Sequence, residues 1–127
     1  MPHLSLEYSG NLDRTIDMAG LCAALGETLF KTGFFEKGAI RVRAFRAIAW
    51  AIADQQPEDA FIDMSLRIGE GRSAEDRKHI GNMLFATATD RLLSFFDTPN
   101  FALSLEVREI DSALSWKKNT IHHRFRK

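Results

Sequence analysis

Phe61-Ile62-Asp63-Met64-Ser65-Leu66-Arg67-Ile68, followed by Gly69-Glu70-Gly71-Arg72-Ser73, is the stretch on which the fold turns. Ile62, Met64, Leu66 and Ile68 alternate with Phe61, Asp63, Ser65 and Arg67, the two-residue period of a strand with one face buried. The glycines end that run. Ser73-Ala74-Glu75-Asp76 then has the form of a capping box, and Ile80, Met83, Leu84, Ala88 and Leu92 recur at helical spacing. This predicts a helix over about 74–96 that Pro99 must stop. Phe101, Leu103, Leu105 and Val107 then alternate with Ala102, Ser104, Glu106 and Arg108 as a further strand. The unit is strand, helix, strand.

The first half repeats the pattern. Leu4, Leu6 and Tyr8 alternate with His3, Ser5 and Glu7, predicting a strand over 3–8. Met18, Leu21, Cys22, Leu25 and Leu29 then follow helical spacing, so a helix is expected from about Asp13 to Thr32, with Gly33 as its terminator and Cys22 as a small core residue. Gly20 and Gly26 inside it each cost up to about 1 kcal/mol against Ala, so packing must hold this helix together. In 39–46, Ile40, Val42 and Ala44 oppose Arg41, Arg43 and Phe45 as another strand, and Asp54-Gln55-Gln56-Pro57-Glu58-Asp59 reads as a connector.

The first and third strands are offset by about sixty residues, an internal duplication in pattern. The expected fold is α+β: two βαβ units, about 2–50 and 60–110, in one domain of 127 residues with a C-terminal tail. Right-handed crossovers place both helices on one face of a four-stranded mixed sheet. The other face carries Ser5, Glu7, Arg41, Arg43, Asp63, Ser65, Arg67 and Glu106, and is either solvated or closes an oligomer.

A hydrophobic content of 45% suits one such domain and its core. Lys+Arg and Asp+Glu are both 17, so the net charge gives no reason to expect a nucleic-acid or anionic-membrane partner. The one basic cluster, Lys117-Lys118 followed by His122-His123-Arg124-Phe125-Arg126-Lys127, reads as a solvated tail or edge. Cys22 is the single cysteine, which excludes an internal disulfide. His79, His122 and His123 lack partners at metal spacing, so no metal is assigned. With no apolar run long enough to span a membrane, the expectation is a soluble cytoplasmic protein.

Pro2 is the most unusual placement in the chain. Removal of Met1 would leave a secondary amine at the start of a strand, and an apolar, cation-lined setting would bring its pKa down from the usual α-amino value of about 8 toward neutrality. That is the range of a proton shuttle. Taken alone, Pro at this position is usually inert.

Met1-Pro2-His3 leading a strand, Gly38-Ala39-Ile40-Arg41-Val42-Arg43, and Ile68-Gly69-Glu70-Gly71-Arg72-Ser73 before a helix together resemble the 5-carboxymethyl-2-hydroxymuconate isomerases of the tautomerase superfamily. The similarity runs from Pro2 through 104–109 into Lys117-Lys118-Asn119. The second half also resembles the short subunit of 4-oxalocrotonate tautomerase. The resemblance implies a trimer of double βαβ subunits, no metal or organic cofactor, and Pro2 as the base that moves a proton between oxygen and carbon of a dienol acid from aromatic-acid breakdown, such as that of homoprotocatechuate.

Arg41 and Arg43 share a strand face and are candidates to converge on a small anionic carboxylate substrate, with Arg72 before the second helix as a third anion-binding group. His3 borders this site, and Phe45 is a candidate apolar wall. Glu70 and Ala44-Phe45-Arg46 do not match the family pattern. Two other readings stay open: another tautomerisation, hydration or dehalogenation of an unsaturated acid, or a non-enzymatic trimeric binding protein.

Overall fold

The structure is a computed structural model described for residues 1–126; Lys127, the last of the basic run, lies outside the described residues. Four strands, β1 (His3–Ser9), β2 (Arg41–Ala47), β3 (Ala60–Gly69) and β4 (Phe101–Ile110), form one sheet in the order β2-β1-β3-β4. β1 and β2 are parallel, β3 and β4 are parallel, and β1 meets β3 antiparallel. Helices α1 (Met18–Lys31) and α2 (Ala74–Arg91) cover one face and touch through the hydroxyls of Thr28 and Thr87, 2.7 Å apart.

Alternation decides which side is buried. Leu4, Leu6 and Tyr8 of β1 and Ile62, Met64, Leu66 and Ile68 of β3 point under the helices, where Leu21, Leu25, Leu29, Ile80, Leu84, Ala88 and Leu92 meet them. Each such side chain gains roughly 1.5–3 kcal/mol by leaving water, which offsets the weak helix propensity of α1. The opposite face is built in rows: Arg41, His3, Arg67 and Arg108 lie side by side, then Arg43, Ser5, Ser65 and Glu106, then Phe45, Glu7, Asp63 and Ser104. Basic charge thus gathers at the end of the sheet where β1 begins.

Four sequence expectations are corrected. α1 starts at Met18 and not near Asp13, because Asp17 caps it by accepting from the Gly20 amide at 3.0 Å, while Asp13 is held by the Tyr8 hydroxyl at 2.8 Å and Arg46 at 2.5 Å. Its C-terminus does meet Gly33, whose φ of +82° suits glycine after a helix end. α2 stops at Arg91, well before Pro99, because Leu92 leaves helical geometry with φ −111°; a 3-10 turn over Leu93–Asp97 then lets Phe95 and Phe96 pack on Phe101 at the start of β4. Cys22 is half-buried beside the stripe formed by Leu21, Leu25 and Leu29. The C-terminal segment, expected to be a solvated tail, folds back on the chain: Asn119 Nδ2 donates to the Gly38 carbonyl at 2.9 Å, and Arg126 forks onto Glu36 at 2.9 and 2.5 Å. No helix among the described residues is long and apolar enough to cross a membrane.

Candidate active site

The amino terminus lies where three connections meet. Arg41 N donates to the Pro2 carbonyl at 3.0 Å, tying the first residues to the start of β2, and Pro2 itself is buried. On one side of Met1 lies a cleft of about 730 Å³, bordered by His3, Arg67, Gly69, Trp116, Lys117 and Lys118. On the other lies a smaller one of about 320 Å³, with Glu36, Lys117, Asn119, His122 and Arg126. With Met1 in place, the Met1 α-amino group is held below its ordinary value near 8, first by burial and then by the charges of Lys117, Arg72 and Arg41. An amine in this corner is therefore more readily neutral, and so a better proton acceptor at neutral pH, than a free chain end.

Of the residues singled out in the sequence, the structure brings Pro2, His3, Arg41, Arg43 and Arg72 to this end of the molecule. Arg41 reaches back, its Nη1 donating to the carbonyls of Gly38 at 3.0 Å and Ile40 at 3.1 Å. Arg43 Nη1 lies 3.2 Å from His3 Nδ1. A guanidinium only donates, so Nδ1 accepts and the imidazole is neutral with its proton on Nε2. Burial, then Arg43 and Arg67, keep the His3 pKa below the usual 6.5.

Arg72 has a second occupation. Its Nη1 donates to Gly69 O at 3.0 Å, its Nη2 to Phe34 O at 3.1 Å, and its guanidinium lies 4.8 Å over the Phe35 ring. It staples the turn before α2 to the connection between α1 and β2 while contributing charge at the amine. Phe45 is not brought to the cleft: it pairs with Glu7 two rows further along the sheet and is 55% exposed.

Lys117 is the residue the sequence reading missed. It lines both clefts and is the largest influence on the Met1 amine after burial. A lysine in a basic terminal run carries no periodic signal; only the return of the C-terminal segment across the chain places it there. A more open hollow of about 310 Å³ between α2 and β4, bordered by Arg77, Lys78 and Phe85, gathers none of the candidates.

Two βαβ units about one mixed sheet, with the amino terminus in a basic corner, define the architecture; a fused 4-OT protein described as a wild-type symmetric trimer shares this fold at 11% identity and a TM-score of 0.69, over 91% of this chain and 93% of that one. The chain belongs to the 5-carboxymethyl-2-hydroxymuconate isomerase family, whose model matches residues 2–125. It is 36% identical over 126 residues to the 5-carboxymethyl-2-hydroxymuconate Delta-isomerase of Escherichia coli, covering 99% of this chain and 100% of that protein. The crystal structure of a 5-carboxymethyl-2-hydroxymuconate isomerase from Deinococcus radiodurans R1 matches with 42% identity and a TM-score of 0.92, over 99% of this chain and 95% of that one.

Proposed function

We propose that this chain isomerises 5-carboxymethyl-2-hydroxymuconate or a closely related dienol acid through the nitrogen of Pro2. Full-length similarity to isomerases of that name supports the reaction, and the basic corner around the amino terminus is the observation that carries the mechanism. While Met1 is attached, the Pro2 nitrogen is a tertiary amide with no useful basicity. Its removal leaves a secondary amine at a buried position beside the Arg41 backbone.

That amine takes the proton of the 2-hydroxyl group and returns a proton to the far end of the diene. The double bonds shift by one position, and the one that remains is conjugated with the new ketone. Nothing is oxidised or reduced, so the reaction as written needs no cofactor. Arg41 and Arg43 attract the substrate carboxylates, Arg72 adds positive charge where the enolate oxygen develops, and neutral His3 lines the approach. The working assembly in this reading is a cytoplasmic homotrimer serving aromatic-acid breakdown, with homoprotocatechuate as the parent acid. Its sheet edges and exposed apolar residues are covered between copies.

Intact mass of the purified protein, combined with an ultraviolet assay for loss of the dienol, tests this. Loss of one methionine together with turnover is the expected result. A processed chain inactive on every dienol acid overturns it. An uncleaved amino-terminal extension, which keeps the Pro2 nitrogen in an amide, lowers turnover by about 10²–10⁴-fold, the usual contribution of a positioned base.

A further inference from the structure

Beyond β4 the chain forms a strap across the end of the sheet. At its near end the Ser112 amide and hydroxyl both donate to Glu70 Oε1, the amide at 3.3 Å. At its far end Asn119 is bonded to Gly38 O, the same carbonyl that accepts from Arg41, and Arg126 is bonded to Glu36. Glu70 stands in the turn before α2, and Glu36 and Gly38 in the connection before β2. The span between these anchors therefore passes over the start of β1, with Trp116, Lys117 and Lys118 in its middle.

The cations near the amine are unequally free. Arg72 is committed to two carbonyls and a ring, Arg41 Nη1 to two carbonyls, and Arg43 Nη1 to His3. Lys117 is exposed, faces both clefts, and among the described residues enters no ion pair; the carboxylate of the smaller cleft, Glu36, is occupied by Arg126. The arginines are forks fixed near the reacting end and suit the carboxylate attached to the enol. A lysine offers a single charge on a flexible stem, outside the sheet, and suits a carboxylate on a flexible arm.

We propose that Lys117 is a specificity-determining residue: from the strap it binds the carboxylate of the carboxymethyl arm, the group that separates the tricarboxylate 5-carboxymethyl-2-hydroxymuconate from the dicarboxylate 2-hydroxymuconate. This rests on the functional reading above and adds to it the residue that selects the substrate.

The test compares kcat/KM for these two dienols in the processed wild type, Lys117→Ala, Lys117→Arg, Gly38→Ala and the Lys117→Ala/Gly38→Ala double variant. Any change at the base, or in Arg41 through the Gly38 carbonyl, acts on both substrates and cancels in their ratio. Lys117→Ala lowers the tricarboxylate-to-dicarboxylate ratio by about tenfold, the size of one charge-assisted hydrogen bond, mainly through KM. Lys117→Arg keeps most of the preference. In Gly38→Ala the new Cβ would stand 2.9 Å from His122 Nδ1 and 3.0 Å from His122 Cα, displacing the strap and the Lys117 it carries while the lysine side chain itself is kept. It lowers the ratio in the same direction and adds nothing further on top of Lys117→Ala. A wild type that turns over the tricarboxylate, with an unchanged ratio in a folded Lys117→Ala, overturns the proposal and leaves the functional reading standing. A processed wild type that turns over neither dienol overturns the functional reading, and this proposal with it.

Discussion

His3 shows what a single contact does at this site. With Arg43 donating to Nδ1, a proton on that nitrogen would have to face a guanidinium, so the folded protein disfavours the imidazolium. The expected NMR titration midpoint for His3 lies below 6.5, and Arg43→Ala moves it upward; a midpoint at or above 6.5 in the wild type contradicts the geometry. The consequence for stability has a definite sign. His3 has a lower pKa folded than unfolded, so its contribution is complete above the unfolded value and is lost as pH falls through the folded one. In a chain that keeps Met1, the lowered Met1 α-amino group acts in the same direction, its contribution being lost as pH falls from about 8. Chemical denaturation at a series of pH values should therefore show stability falling in the wild type as pH drops below about 6.5, through the lowered His3 pKa. The fall should be shallower in Arg43→Ala, where less separates folded and unfolded His3.

At the scale of elements, the start of α2 is set by one side chain. Ser73 Oγ accepts from the Asp76 amide at 3.0 Å, and Glu75 and Asp76 place negative charge against the exposed amides of the first turn. Ser73→Ala should cost about 1 kcal/mol and a few degrees in Tm, read by thermal unfolding. Because Arg72 immediately precedes this cap and staples the turn to Phe34, loosening the cap should also lower activity more than the stability loss alone implies. The strap differs from the helices in kind. It has short 3-10 turns at Ser112–Leu114 and Ile121–Arg124 and is held by a few polar anchors, with no apolar stripe. Local opening of such a segment is cheap, and hydrogen exchange should find its amides less protected than those of the four strands and two helices.

The whole molecule rests on the layer between sheet and helices. Leu66 is fully buried at the middle of that layer, and Leu66→Ala should cost about 2–5 kcal/mol by denaturant unfolding. The opposite side of the sheet is less complete. Its rows run from arginines at the amino-terminal end to Glu7 and Asp63 at the other, and β2 and β4 are edge strands. Phe45, Ile48, Trp50, Leu114 and Trp116 are all exposed around its borders. This is more apolar and charged surface than a small monomer comfortably leaves in water, and it underlies the trimer proposed above. Sedimentation equilibrium should return three times the chain mass at assay concentration; a monomer there would contradict it.

The two βαβ units were legible because their information is local and periodic. The alternations at 3–8, 61–68 and 101–108, the Ser73 cap and the spacing from Ile80 to Leu92 each report a buried face directly. Pro2, Arg41, Arg43 and Arg72 were legible as candidates through the family resemblance of the motifs that hold them, since alone a Pro at position two or a pair of strand arginines points to no site. Helix boundaries were less so, because Asp13 and Asp17 are both plausible caps in a sequence, and only contact with Tyr8 and Arg46 occupies the former. The strap was not legible at all. Ser112 to Glu70, Asn119 to Gly38 and Arg126 to Glu36 are long-range polar contacts between residues with no shared period, so the position of Lys117 beside the amine exists only once the chain has closed on itself. The sequence by itself determined the layers and the polarity of the sheet, since burial follows side-chain alternation. Tertiary structure alone decided which charges surround the amino terminus, since that depends on distances between segments that no local pattern encodes.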